Sequence, residues 1–88
     1  MDEEQTADQA RVVKYPLTPE QEARLDKDFT YHAPHGDQAE RYGDIRRHAK
    51  WLARIIMETT PPSREQSLAL THLEEAVMFA NAAIARNE

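Results

Sequence analysis

Four histidines come first among the side chains that could do chemistry, because imidazole is a common metal ligand and general base near neutral pH. His32 and His35 are three apart, but they straddle Pro34 in a segment that cannot be helical throughout. His48 and His72 fall on separate helical patterns, no acidic residue completes a convincing set of three ligands, and the chain has no cysteine. Neither a metal site nor a resident cofactor is expected. The two serines, Ser63 and Ser67, have no His–Asp arrangement to activate them, and Ser63 reads as a helix cap. With no metal, nucleophile or general base in view, catalysis is not expected.

Charge is the remaining resource. The formal net charge of −5 argues against a coat for DNA or RNA polymers, which needs a broad basic face. The distribution says more than the total. Residues 1–30 sum to −4 and residues 61–88 to −2, while residues 31–60 carry +1. An anion, if one binds, binds locally in the middle third. Its cations are Arg41, Arg46, Arg47, Lys50 and Arg54. With Tyr42 as position a of a heptad, Arg46 is an e position, where a flanking charge ordinarily pairs between helices. Arg47 and Arg54 on f, and Lys50 on b, read as solvated charges. Asp26, Asp28, Glu74 and Glu75 read the same way. Arg64 opposes the dipole in the first turn of its helix, which hints at a carboxylate partner from another chain.

These side chains need elements to hold them, and the pattern is all-α. Thr18-Pro-Glu-Gln21 is a helix start, with a hydroxyl cap, Pro at the first position and Gln to close a capping box. A short helix over about 18–28 follows, with Leu25 and Phe29 as anchors, and residues 1–14 read as a disordered or loosely docked arm. Tyr42, Ile45, Ala49, Leu52 and Ile56 form an apolar seam that predicts a helix over 37–59, which Pro61-Pro62 ends. Ser63-Arg-Glu-Gln66 is a second capping box, and Leu70, Leu73, Val77, Ala80 and Ile84 continue as the seam of a last helix to about 86. So short a link forces an antiparallel hairpin. The expected organisation is an arm with a short helix over 1–29 and a hairpin domain over 30–88.

The last helix is not content with one neighbour. Ala69, Ala76, Ala83, Met78 and Phe79 lie off its seam and widen the apolar surface. In a chain of 88 residues the extra neighbours are expected to be other copies, giving a homo-oligomer. No apolar run approaches the roughly 18 residues of a membrane span, and the acidic start Met1-Asp-Glu-Glu-Gln5 is unlike a signal peptide. A cytoplasmic protein with no membrane partner is expected.

Tyr31-His-Ala-Pro34, Arg41-Tyr-Gly-Asp-Ile-Arg46, the run from Pro62 to Ala76 and Asn81-Ala-Ala-Ile-Ala-Arg-Asn87 together resemble the phage anti-CBASS sponges of the second type. Those sponges share a helical hairpin with a class of anti-Thoeris sponges. The resemblance covers about 30–88 and is strongest over 62–87; residues 1–29 resemble nothing identified. It implies an all-helical homohexamer in the cytoplasm of an infected bacterium. Such an oligomer sequesters cyclic oligonucleotide second messengers without cutting them.

The resemblance also implies that Tyr31, ahead of the long helix, and Arg46, in its first part, contact a cyclic dinucleotide of the cGAMP kind. Arg46 stands where some relatives carry lysine, which keeps the charge and favours forked phosphate contacts. His32, beside Tyr31, suits base stacking or a polar contact. A separate cyclic-trinucleotide site is implied as well, with Arg86 as its candidate. Plainer readings stand beside these. Tyr31 suits a core or an apolar interface, Arg46 an interhelical ion pair, and Arg86 the dipole at a helix C-terminus. On those readings the chain is an oligomeric hairpin adaptor with a structural or protein-interaction role.

Overall fold

The computed structural model describes residues 11–88, so most of the expected N-terminal arm lies outside the described residues. The chain divides into two units, one ending at Thr30 and the other running from Tyr31 to Glu88. The described residues contain three helices and no strand: α1 (Pro19–Phe29), α2 (Gln38–Thr59) and α3 (Arg64–Asn87).

Helix α1 starts as its sequence dictates. Thr18 Oγ1 accepts the backbone N–H of Gln21 at 3.1 Å, and Gln21 Oε1 accepts the N–H of Thr18 at 2.9 Å. Both donors would otherwise be orphaned at the helix start. The anchors expected on this helix are not buried: Leu25 is 42% and Phe29 82% exposed.

In the second unit, α2 and α3 pack against each other as an antiparallel hairpin. Pro61 and Pro62 form the turn after the extended Thr60, and Ser63 Oγ accepts the N–H of Gln66 at 3.1 Å to open α3. The second capping box is only half made. Gln66 turns away from the Ser63 backbone, and its Nε2 donates to Thr60 O and Thr60 Oγ1 at 3.0 Å each. The amide therefore braces the turn rather than closing the cap.

The α3 seam is as expected, with Leu70, Leu73, Val77, Ala80 and Ile84 all half-buried. The α2 seam holds for Tyr42, Ile45, Ala49 and Ile56 but shifts by one residue in between. Leu52 is 46% exposed, and Ala53 is half-buried in its place. A straight helix drifts by about 20° per heptad against a 3.5-residue repeat, and that drift carries the buried face from one position to the next.

Among the described residues no apolar side chain is fully buried, and the two residues that are buried are Gln38 and Gly43. Trp51, Met57, Met78 and Phe79 stand exposed, as do Ala69, Ala76 and Ala83. Two helices of this length have one inner face each. The rest of their apolar surface finds no cover within a single hairpin.

Candidate functional site

The open end of the hairpin is where the segment carrying Tyr31 and His32 enters α2. Residues 31–35 have no regular structure, and Gly36 turns the chain into the helix with φ +57°, a left-handed conformation that glycine adopts without strain. Asp37 precedes the helix without capping it; its carboxylate instead accepts from Arg41 Nε at 3.1 Å. Arg41 also forks onto Glu88 at the far end of α3, with Nη1 to Oε2 at 2.8 Å and Nη2 to Oε1. Those bonds hold the Glu88 carboxyl at about 2, well below its ordinary 4.5, and raise the Arg41 guanidinium in return. Each is shifted mainly by the other. The pair is a structural clasp rather than an acid–base couple poised for chemistry.

Inside the clasp sits Gln38, 3% exposed. Its Oε1 accepts the backbone N–H of His35 at 3.2 Å, and its Nε2 donates to Glu88 Oε1 at 3.4 Å. Nε2 also lies 3.3 Å from His35 Nε2, which accepts in the tautomer protonated at Nδ1. The backbone N–H of Gln38 donates to His35 O at 3.1 Å. One buried amide thus links the entry segment, the start of α2 and the end of α3.

Tyr31 is 84% exposed and His32 is exposed, so neither ring is spent on a core. Arg86 lies half-buried in the last turn of α3, at the same end of the hairpin as Gln38 and Arg41. Arg46 is eight residues beyond Gln38 on α2, about 12 Å along the helix. Its side chain is exposed and forms no ion pair with the described residues. It lines a groove of about 550 Å³ between the helices, with Lys50 beside it and Leu73, Glu74, Val77 and Met78 opposite on α3. Tyr31 does not line that groove. A single hairpin therefore presents the ring and the guanidinium separately.

Two features escaped the reading of the sequence. Lys50 joins Arg46 at the mouth of the groove, and the i, i+4 spacing of two cations was the available signal. Gln38 and Glu88 meet across 50 residues, and nothing local foretells that. No group of three His, Asp or Glu among the described residues could hold a metal ion. None of the described helices is long and apolar enough to cross a membrane.

The hairpin, with its exposed ring and a guanidinium that pairs with no carboxylate among the described residues, can be set beside known proteins. No curated protein and no solved structure matches the chain. The Acb2/Tad1 hairpin domain does match, over residues 21–85, a span that takes in Tyr31, His32, Gln38 and Arg46 and stops one residue short of Arg86; the chain belongs to the Acb2/Tad1 hairpin-domain family.

Proposed function

We propose that the protein is a sponge. It binds cyclic dinucleotide second messengers, with cyclic trinucleotides as a second ligand class, and withholds them from CBASS effectors in the infected host without cleaving them. The observation that carries the reading is the family match across the unit holding an exposed Tyr31 and an Arg46 that no carboxylate among the described residues pairs with. The working form is a homo-oligomer, taken as a hexamer, which covers the apolar surface that one hairpin leaves open.

The chemistry suits the ligand. A cyclic dinucleotide has two bases, two phosphates and near two-fold symmetry, so a two-fold interface offers each residue twice. Tyr31 supplies a stacking plane worth about 1–3 kcal/mol per base. Arg46 supplies a forked, charge-assisted phosphate contact worth about 1.5–3 kcal/mol. A nanomolar constant, about −12 kcal/mol, is the scale on which capture outcompetes an effector. His32 adds a polar edge beside the ring, and Arg86 is the cation offered to a trinucleotide.

Arg46→Ala is expected to weaken calorimetric binding of 3′,3′-cyclic GMP–AMP by about 10- to 150-fold for each phosphate fork it removes, with the oligomer unchanged by light scattering. Tyr31→Ala is expected to do the same through stacking. The ligand should come back intact after the complex is denatured. Wild-type affinity in both variants would remove the site, and recovery of linear product would remove the sponge.

A further inference from the structure

We propose that Gln38 is a positioning residue for the nucleotide site: its buried amide pins His35 to the end of α3 and so fixes where the Tyr31 ring stands before any ligand arrives. The proposal rests on the reading of Tyr31 as a nucleotide contact.

Gln38 is the one buried polar side chain among the described residues. A buried amide is costly unless its groups are bonded, and here both ends are: the carbonyl by the His35 N–H, the NH2 by His35 Nε2 and Glu88. Two of its three partners lie in the entry segment, at a residue with no helix of its own to hold it. The third is Glu88, which follows the last residue of α3 and whose carboxylate Arg41 already grips. His35 is thereby fixed in backbone and ring.

Stiffness carries the effect forward to the ring. Three residues separate His35 from Tyr31, and two of them have little freedom. Pro34 has its φ locked, and Ala33, preceding a proline, is held extended. Fixing His35 therefore aims Tyr31 while leaving its ring open to solvent. Prior ordering of this kind removes a cost that would otherwise be met on binding.

The test uses the full chain and 3′,3′-cyclic GMP–AMP as probe. Gln38→Met keeps length and burial but cannot bond. It should speed exchange of the His35 amide hydrogen in the ligand-free protein and weaken capture about tenfold. Pro34→Gly leaves the amide network untouched; it should weaken capture similarly while the His35 amide stays protected. In the Tyr31→Ala background, Gln38→Met should add no further loss, because its effect runs through the ring. Additive losses, or wild-type capture by Gln38→Met, would overturn the proposal. If the wild-type chain takes up no probe, the sponge reading falls on its own account. Exchange at His35 then still decides the pin: faster in Gln38→Met upholds it, unchanged overturns it.

Discussion

Replacing Gly43 by alanine tests how far the single hairpin explains its own sequence. Gly43 lies inside α2, where glycine costs about 0.8–1.0 kcal/mol relative to alanine because it loses the most backbone freedom. A Cβ there would stand 3.1 Å from Nη1 of Arg47, and the next neighbours, Arg46 Nη2 and Arg47 Cζ, are at 4.0 Å. The close atom is the end of a flexible, largely exposed side chain whose ion pair with Asp44 is a surface one. Displacing it costs up to about 0.5 kcal/mol. The helix term wins, and a net gain of about 0.5 kcal/mol is expected. For a chain of this size that is a rise in melting temperature of about 2–4 °C. Circular dichroism at 222 nm should follow the melt at fixed protein concentration, because association shifts the midpoint. A lower midpoint would refute the reasoning and place another chain or a ligand against that stretch of backbone.

The remaining expectations concern the two ends of the hairpin. Ser63→Ala removes the acceptor for the Gln66 N–H and should cost about 1 kcal/mol, a fall of roughly 4–8 °C, whereas Ser63→Asp should restore most of it. Glu88, held at about 2 against an ordinary 4.5, stabilises fully above pH 4.5 and loses its contribution as the pH falls toward 2. Side-chain amide shifts of Gln38 should report that loosening, and Glu88→Gln should abolish the step below pH 4.5. Gln38 signals that show no step below pH 4.5 would contradict the pairing.

Much of this fold was written locally. The Thr18 and Ser63 caps, the break at Pro61-Pro62 and the apolar repeat of α3 each follow from residues within a few positions of one another, and each lies where the pattern put it. What failed was longer in range. The exchange of Leu52 for Ala53 comes from drift accumulated along a straight helix, which a fixed heptad ignores. Gln66 left its capping box because Thr60 offered two acceptors across the turn. Gln38, polar and near a helix start, reads as solvated until folding brings Glu88 to it from the other end of the hairpin. Of the candidate site, Arg46 was named from motif and charge, while its groove-mate Lys50 was taken for a surface charge because position b normally faces water.

A seam in which every apolar side chain stays partly wet leaves a lone protomer with little to hold its helices together. In the proposed oligomer its order comes from neighbouring copies, so dilution loosens it and crowding by its own kind firms it up. Production level becomes a structural variable, and any small molecule that favours the gathered form would harvest folding free energy as well as contact energy.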